Sequence, residues 1–239
     1  MKEFAARLKV ALFADGADLK EMLQCYKEGW VKGFTTNPTL MNKAGIKDYE
    51  GFAREVLQTI KDLPVSFEVF SDEFPEMERQ AHKILALGSN ANVKIPITNT
   101  KGESSLPLIR RLLDEGHMVN VTAILSQGQI HGLREIVKPE HKVIVSIFAG
   151  RIADTGIDPV PIMKDAVSLY KEARDAQVLW ASPREILNVY QADECGVQII
   201  TVPPSILSKL SLMGKDLEQY SLETVKMFYD DAVKSGFSF

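Results

Sequence analysis

The sequence predicts an α/β protein of the (β/α)8 TIM-barrel class with an additional C-terminal helix. Three observations lead to this prediction: eight apolar segments alternate with helix-period segments, the apolar segments have no polar face, and polar residues cluster at their carboxyl ends. Strands that are apolar on both faces are typical of parallel sheets covered by helices. We expect residues 1–239 to form a single barrel domain, because such barrels routinely reach roughly 250 residues as one domain.

Eight segments are predicted as strands. Each is short, rich in Val, Ile or Phe, and mostly bounded by turn-forming or charged residues. An open, doubly wound sheet is the alternative arrangement, and it is disfavoured because no GxGxxG motif follows a strand. The predicted strands are residues 8–14, 33–37, 65–70, 91–97, 117–123, 142–148, 177–182 and 197–202.

The segments between the strands have apolar residues at helical spacing. Leucine and isoleucine recur with this spacing over residues 108–113, before Gly116, which suits a helix C-terminal cap. Asp18 is the candidate N-cap of the first helix after a strand. Residues 220–236, approximately, predict a final helix beyond the eighth unit, which packs either on the barrel or on a neighbouring subunit.

Composition and charge exclude several classes of partner. The formal net charge is -4 and there is no polybasic run, so we expect neither nucleic acid nor an anionic membrane surface as a partner. The first residues contain an apolar run too short for a secretion signal or a membrane span. The expected partners are therefore small molecules.

The cysteines and histidines do not predict a metal or a disulfide. Cys25 and Cys195 lie far apart and lack CxxC or Cys/His ligand spacing, which fits a reducing cytoplasm. The histidines fall in helix-like segments or at strand beginnings, away from the carboxyl ends of the strands. We therefore expect no metal site and no cofactor. These histidines are His82, His117, His131 and His141.

Polar residues stand at or just after the carboxyl end of most predicted strands. In a barrel these ends meet at one opening, which we call the mouth, and the mouth is the catalytic face. Single polar residues at loop starts are common, so it is their convergence that predicts a site. The residues are Asp15, Thr35, Thr36, Asn37, Ser66, Glu68, Lys94, Asn120, Thr122, Ser146, Arg151, Ser182 and Arg184.

Lys94 stands between Val93 and Ile95 in a segment that otherwise predicts a buried strand. A lysine in a strand often lies at a sheet edge or extends its ammonium group to water, and Lys9 fits that description. Inside a barrel, burial disfavours the ammonium and can lower a lysine pKa to roughly 7–8, which gives an amine that attacks carbonyls. The position of Lys94 predicts a Schiff-base nucleophile.

Schiff-base chemistry also needs groups that move protons. Asp15 and Glu68 are the candidates, with Thr122 holding a water between them. The alternative for Asp15 is a turn role, and for Glu68 it is exposure at a sheet edge rather than pairing inside the barrel.

Two arginines follow the sixth and seventh predicted strands. Arg151 and Arg184, together with Ser182, suit bidentate recognition of a sugar phosphate. An arginine in this position is, taken singly, more often part of a surface ion pair.

Six motifs occur in order along successive predicted strands, and they are GFTTNPTL, SFEV, NVKIP, VNVTAILS, SIFAGRIAD and WASPRE. Together they resemble the transaldolase family of Schiff-base barrels, in particular its short-chain branch, which also includes fructose-6-phosphate aldolases. The resemblance covers nearly the whole chain. It implies transfer of a dihydroxyacetone unit between sugar phosphates. It also implies a place in carbohydrate metabolism, such as the pentose phosphate pathway. It also implies a ring-like homo-oligomer formed through the terminal helix.

The resemblance implies a role for each matching residue. Lys94 matches the Schiff-base lysine, and Asp15 matches the aspartate that exchanges protons with the sugar hydroxyl. Glu68 and Thr122 match the pair that positions the catalytic water. The matching substrate-binding residues are Asn37, Asn120 and Ser146 around the dihydroxyacetone unit, and Arg151, Ser182 and Arg184 at the phosphate. Thr35, Ser66 and Phe148 are further candidates for substrate binding.

Two positions favour transfer over simple cleavage. The aldolase branch typically has glutamine in place of Glu68 and tyrosine in place of Phe148, and a tyrosine hydroxyl there would help to protonate the enamine early. Gly16, Ile147 and Pro183 depart from the family pattern, which leaves the physiological sugar open. The alternatives are a fructose-6-phosphate-type aldolase and a non-catalytic barrel that binds sugar phosphates.

Overall fold

The computed structural model describes residues 2–237 and contains a closed barrel of eight parallel strands, which confirms the predicted fold class. Each strand pairs with the next along the chain, and the last pairs with the first. The strands are β1 Ala11–Asp15, β2 Gly33–Thr35, β3 Val65–Glu68, β4 Ala91–Pro96, β5 Val119–Ile124, β6 Val143–Ile147, β7 Ala176–Trp180 and β8 Ile199–Val202.

Helices connect the strands and cover the outside of the barrel. They are α1 Lys2–Ala5, α2 Leu19–Glu28, α3 Pro38–Lys43, α4 Tyr49–Thr59, α5 Phe74–Leu85, α6 Leu106–Asp114, α7 Gln127–Ile136, α8 Ala149–Asp154, α9 Val160–Tyr170, α10 Leu187–Cys195, α11 Pro204–Leu207 and α12 Leu217–Ser235, with a 3-10 turn at Ser208–Leu212. As predicted, Asp18 caps α2 by accepting a hydrogen bond from the Glu21 amide at 3.0 Å.

All eight strands differ from their predicted limits by one to three residues at one end or both. Two of these differences have identifiable reasons. The first strand begins at Ala11 rather than at residue 8, because the amides of Lys9 and Val10 donate to the Asp193 carboxylate instead of to a neighbouring strand. The second strand ends at Thr35 because Asn37 already caps α3, accepting from the Leu40 amide at 3.0 Å. Side-chain acceptors therefore set these two limits.

The barrel interior has an apolar layer beneath a polar one. The side chains of Phe13, Ile144, Leu179 and Ile199 pack together inside the barrel and are buried. Gly33 makes room for this layer, since a Cβ atom at that position would lie 2.5 Å from the Phe13 ring. Side chains two residues apart share a face of a strand, so the polar residues that follow these positions lie in the next layer toward the mouth.

Helix α12 differs from the other long helices because none of its residues is buried. Its exposed side chains include Phe228 and Tyr229, which are 63% and 69% exposed. Asp216 caps its first turn by accepting from the Gln219 amide at 2.8 Å. The helix predicted at about 220–236 is therefore present, with its start three residues earlier. Over residues 2–237, no helix is both long enough and apolar enough to cross a membrane.

Candidate active site

Lys94 lies inside the barrel on β4 and is only 6% exposed. Its ammonium nitrogen Nζ is 3.0 Å from Glu68 Oε2 and donates a hydrogen bond of 2.8 Å to the Thr36 carbonyl. The strand register places Glu68, Lys94 and Asn120 side by side on β3, β4 and β5. Because the two contacts use two of the three ammonium donors, Lys94 is held in one position while it is charged.

Asp15 ends β1 at the mouth and belongs to a chain of hydroxyl groups. Thr35 Oγ1 donates to Asp15 Oδ1 at 2.7 Å and is 2.5 Å from Thr201 Oγ1. A hydroxyl has one proton, so Thr201 donates to Thr35 whenever Thr35 donates to Asp15. Burial raises the pKa of Asp15 above its ordinary value, and the Lys94 ammonium and the Thr35 hydrogen bond offset only part of this effect.

Thr201 is a residue that the sequence analysis did not select. It lies on β8 two positions after Ile199, so it occupies the polar layer directly above the apolar one. The signal was the polar residue next to the carboxyl end of the segment VQIITV. Strand alternation counted from Ile199 would have placed it inside the barrel.

Thr122 on β5 has a buried hydroxyl with no hydrogen-bond partner among the described residues. Buried polar groups are nearly always paired in folded proteins, so this hydroxyl can still form a hydrogen bond with a molecule at the mouth. The next residue, Ala123, has φ 60°, and the β5–β6 register shifts between Val121 and Ile124. This irregularity directly follows Thr122, at the mouth end of β5.

Three further predicted residues form a buried hydrogen-bonded chain across β3, β5 and β6. Ser146 Oγ donates to Asn120 Oδ1 at 2.6 Å, and Asn120 Nδ2 donates to Ser66 Oγ at 3.2 Å. These contacts fix which way the Asn120 amide points. Because the amide nitrogen has two protons, one remains for a ligand at the mouth.

Asn37 has a structural role that the sequence analysis did not predict. Its Oδ1 is the N-cap acceptor of α3, so that oxygen keeps one lone pair, and the amide nitrogen keeps both donors, for a substrate. The neighbouring Thr36 is buried, and its hydroxyl donates to the Ser66 carbonyl at 3.2 Å. This bond holds Thr36 in place, and the Thr36 carbonyl is the group that accepts from Lys94.

The predicted phosphate residues lie around α8. The Arg151 guanidinium stands 5.7 Å from the centre of the Phe148 ring, and the Arg184 guanidinium forms a two-point ion pair with Asp154. Arg184, by its hydrogen bonds and its charge, and Arg151, by its charge, lower the pKa of Asp154. The ion pair of Arg184 is the surface role that the sequence analysis gave as the alternative, and it uses two of five N–H donors.

Ser182 lies against the same helix in a strained conformation. Its φ is 60°, which is unusual for a residue other than glycine. A Cβ atom added to Gly150 would lie 1.6 Å from the Ser182 carbonyl oxygen, so the loop after β7 fits only against glycine. Non-glycine residues held in this region cluster at functional sites.

The raised pKa of Asp15 predicts a pH-dependent stability. Folding favours the protonated form of the Asp15 carboxyl group. The contribution of this group to the free energy of unfolding is therefore fully present below the ordinary pKa of 3.8, and it is lost as pH rises through the raised pKa of the folded state. We expect Asp15→Asn to be more stable than the natural chain near neutral pH, because the amide carries no charge that burial can disfavour. The advantage should shrink as pH falls toward 3.8.

Urea unfolding across this pH range measures the effect. Asp18→Asn is the matched control, because Asp18 is an N-cap position where asparagine is equally good, and its unfolding free energy should change by less than about 0.5 kcal/mol. At each pH, the quantity to compare is the unfolding free energy of Asp15→Asn minus that of the natural chain. If this difference is smaller at neutral pH than at acid pH, the prediction is wrong.

The histidines lie away from the mouth, as expected. The structure nevertheless brings His82 and His117 together with Glu115 in an arrangement that could hold a metal ion. No local sequence pattern indicates this cluster, because its members come from the end of one helix and from the turn after the next.

Comparison with known proteins gives a consistent set of relatives. Residues 12–239 match the family model described as transaldolase/fructose-6-phosphate aldolase. A protein named "Probable transaldolase" from Dehalococcoides mccartyi is 35% identical over 200 residues, covering 83% of this chain and 89% of the relative. A second protein of that name, from Bdellovibrio bacteriovorus, is 31% identical over 220 residues, covering 92% and 95%.

Solved structures with a similar fold are much more distant in sequence. 2,3-Dimethylmalate lyase aligns with a TM-score of 0.55 at 11% identity, covering 99% of this chain and 87% of that chain. A protein titled "QR15, an Aldolase" aligns with a TM-score of 0.52 at 14% identity, covering 81% and 89%. At these identities the similarity supports the barrel fold and nothing finer.

Proposed function

The chain belongs to the transaldolase/fructose-6-phosphate aldolase family, and on this premise we propose that it is a transaldolase. It transfers a dihydroxyacetone unit from a ketose phosphate to an aldose phosphate through a Schiff base on Lys94. The observation that carries the proposal is the buried Lys94 amine beside a carboxylate, with Glu68 Oε2 at 3.0 Å. A fixed amine and a proton acceptor in contact are what imine formation requires.

The first steps use Lys94, Glu68 and Thr122. Glu68 takes a proton from the Lys94 ammonium, and the neutral amine attacks the ketone carbon of the donor to give a carbinolamine. Loss of the carbinolamine hydroxyl as water, with a proton returned by Glu68, leaves an iminium ion. The unpaired hydroxyl of Thr122 supports this assignment, because it offers a hydrogen bond to the departing water.

Asp15 serves the carbon–carbon bond cleavage. It accepts the proton of the hydroxyl on the carbon that leaves with the aldose. That oxygen becomes the aldehyde oxygen, and the electrons of the broken carbon–carbon bond move to the iminium ion to give an enamine. Burial supports this role because the raised pKa of Asp15 makes it a better base than an exposed aspartate. The acceptor aldehyde then takes the fragment by the reverse sequence, and hydrolysis of the imine releases the product.

The phosphate is assigned to Arg151, Arg184 and Ser182. Asp154 holds the Arg184 guanidinium by two of its donors and leaves three for a phosphate, so the ion pair orients the group rather than consuming it. Arg151, on the same helix as Asp154, adds a second positive charge. The Asn120 amide, fixed by its two serine neighbours, is assigned to the hydroxyls of the three-carbon fragment.

The proposal predicts transfer rather than release. With a ketose phosphate alone, free dihydroxyacetone should form much more slowly than the transfer product forms when an aldose phosphate is added. Phe148→Tyr places a phenol at the mouth that can protonate the enamine, so we expect the ratio of release to transfer to rise by on the order of tenfold to a hundredfold. Coupled enzymatic assays of the two products measure that ratio.

The outcomes separate the three candidate functions. Release as fast as transfer in the natural chain would favour an aldolase. Turnover of neither kind, with no imine trapped by borohydride on Lys94, would favour a binding barrel. The control is Phe148→Leu, which lacks the hydroxyl and should leave the ratio low.

We also propose a homo-oligomer in which α12 covers a neighbouring copy of the chain. A helix of 19 residues with no buried side chain and with exposed Leu217, Val225, Phe228 and Tyr229 exposes much apolar surface to water. Exposed apolar surface of this kind is characteristic of interaction sites. The resemblance to small family members points to a second copy as its occupant.

Sedimentation velocity tests this arrangement. We expect the double variant Phe228→Ser and Tyr229→Ser to sediment as a smaller species than the natural chain. The matched control changes the next two residues on the same helix, Asp230→Ser and Asp231→Ser, and should keep the oligomer. A natural chain that sediments as a monomer would overturn the proposal.

The compartment and pathway are proposals of the same kind. Cys25 and Cys195 are both free thiols in the structure, which is usual for a protein of a reducing cytoplasm. Sugar phosphates of central carbohydrate metabolism occur in that compartment. We therefore place the proposed reaction there, with the donor sugar left to a substrate panel.

A further inference from the structure

His82, Glu115 and His117 bring three ligand atoms together at the end of the barrel opposite the mouth. His82 Nε2 is 3.7 Å from Glu115 Oε2, and His117 Nε2 is 3.3 Å from the same oxygen. The three ligand atoms all lie within 4.8 Å of one another. Ligands at roughly 2.0–2.2 Å from a tetrahedral zinc ion are roughly 3.3–3.6 Å apart. The His117 separation already lies in this range, and the His82 separation is slightly longer.

We propose that these three residues bind Zn²⁺. Two imidazoles and one carboxylate are a ligand set that zinc takes in proteins, with a water in the fourth position. Mg²⁺ and Ca²⁺ prefer oxygen ligands throughout, so the two nitrogen ligands select against them. The proposal concerns a site outside the catalytic centre, and it does not depend on the reaction at Lys94.

Rigid backbone holds the three ligands. His82 lies in the last turn of α5, and Glu115 and His117 flank Gly116 in the turn after α6. Gly116 has φ 84°, and its amide donates to the Leu113 carbonyl at 2.9 Å, which closes the turn. A turn of this geometry keeps the residues on either side of the glycine in fixed positions.

A cavity adjoins the two histidines. Its volume is about 430 Å³, and its polar lining residues besides the histidines are Ser89, Asn92 and Lys142. The His82 and His117 rings meet edge to face, with centres 5.8 Å apart and planes at 71°. The cavity gives room for a metal-bound water, and Ser89 and Asn92 offer hydrogen-bond partners in the same space.

A histidine beside a carboxylate is not by itself a metal site, and the chain contains a direct comparison. His131 Nε2 is 3.5 Å from Asp165 Oδ2 on the barrel surface, with both side chains exposed. Within residues 2–237, no third His, Cys, Asp or Glu places a ligand atom close enough to that pair to complete a metal site. The third ligand therefore distinguishes the proposed site from an ordinary surface ion pair.

Zinc at this position would link α5 to the turn before β5. Because the ligands come together only in the folded chain, binding stabilises the native state according to the ratio of zinc concentration to dissociation constant. The expected consequence is a higher melting temperature with Zn²⁺ and an unchanged one with Mg²⁺. Activity should not depend on the ion, because Lys94 lies at the other end of the barrel.

The experiment is zinc binding by the full chain after treatment with a chelator and dialysis. Equilibrium dialysis with ZnCl₂ should give one ion per chain, and Co²⁺ should show the intense visible bands of a tetrahedral ion. His117→Ala and His82→Ala should each weaken zinc binding by roughly a hundredfold. Loss of a group that only orients a metal ligand already weakens binding by roughly ten- to a hundredfold, and loss of a ligand should cost at least as much. His131→Ala is the matched control and should bind zinc as the natural chain does.

The result has clear alternatives. No zinc uptake, or uptake that survives both His82→Ala and His117→Ala, would overturn the proposal, and so would equal loss in the His131→Ala control. All three histidines are partly or largely exposed. The variants should therefore fold, which circular dichroism and retained activity at the mouth verify.

Discussion

Replacing Lys94 by methionine should abolish the proposed chemistry, with the rate of dihydroxyacetone transfer falling by at least about 10⁴-fold, as expected when a covalent nucleophile is removed. Methionine keeps the length of the side chain in its buried position but cannot form an imine. Incubation with a ketose phosphate and borohydride should add a three-carbon fragment or the whole sugar to Lys94 of the natural chain and to no residue of the variant. Mass spectrometry of peptides locates the adduct.

The interpretation requires that the variant be folded. Removing one member of a buried ion pair leaves the other without its partner, and Glu68 Oε2 loses the ammonium that lies 3.0 Å away. The double variant Lys94→Met with Glu68→Gln removes both charges and should recover stability while remaining inactive. An active Lys94→Met variant, or an adduct on another lysine, would show that Lys94 is not the nucleophile.

Gly150→Ala should produce the largest loss of stability from a single methyl group. The added Cβ would lie 1.6 Å from the Ser182 carbonyl oxygen, a backbone atom that cannot rotate away. Overpacking commonly costs about 1–3 kcal/mol, and a backbone collision belongs at the upper end, so we expect the free energy of unfolding to fall by about 3 kcal/mol. Urea unfolding measures this loss.

The same substitution should weaken use of a phosphorylated donor. To relieve the collision the loop after β7 must move, and that loop carries Ser182 and Arg184, so we expect the KM for the phosphorylated donor to rise about tenfold or more. A donor without phosphate should be affected much less.

Gly132→Ala is the control for Gly150→Ala. Its Cβ would meet only the Leu106 side chain, at 3.6 Å, in the interior of α7, where alanine is expected to stabilise a helix by about 0.5–1 kcal/mol. If Gly150→Ala were as stable as Gly132→Ala, the close packing of the loop on α8 would be wrong.

The sequence predicted the fold well because the barrel pattern is carried by many residues at once. Eight apolar segments, each covered on both faces, leave few arrangements open, and small errors in their limits do not change the count. The place of Lys94 was also predictable. An ionisable residue between Val93 and Ile95 faces the opposite side from both, and in a closed barrel that side is the interior.

Other features depend on contacts between distant parts of the chain. Arg184 meets Asp154 across 30 positions, and Thr201 meets Thr35 across 166. No local pattern encodes such pairs. The left-handed conformations of Ala123 and Ser182 could not be predicted from the sequence either. Neither residue type favours positive φ, and the surrounding structure imposes it.

The apolar layer of Phe13, Ile144, Leu179 and Ile199 has a consequence for the order of events at the mouth. These buried side chains fill the barrel below the polar layer, so reactants have no second passage through its centre. In the proposed reaction the first aldose must leave by the opening through which the second enters, and water for hydrolysis arrives by that route too. The acceptor and water thus compete for the mouth, and a sugar phosphate bound there keeps water from the bound fragment.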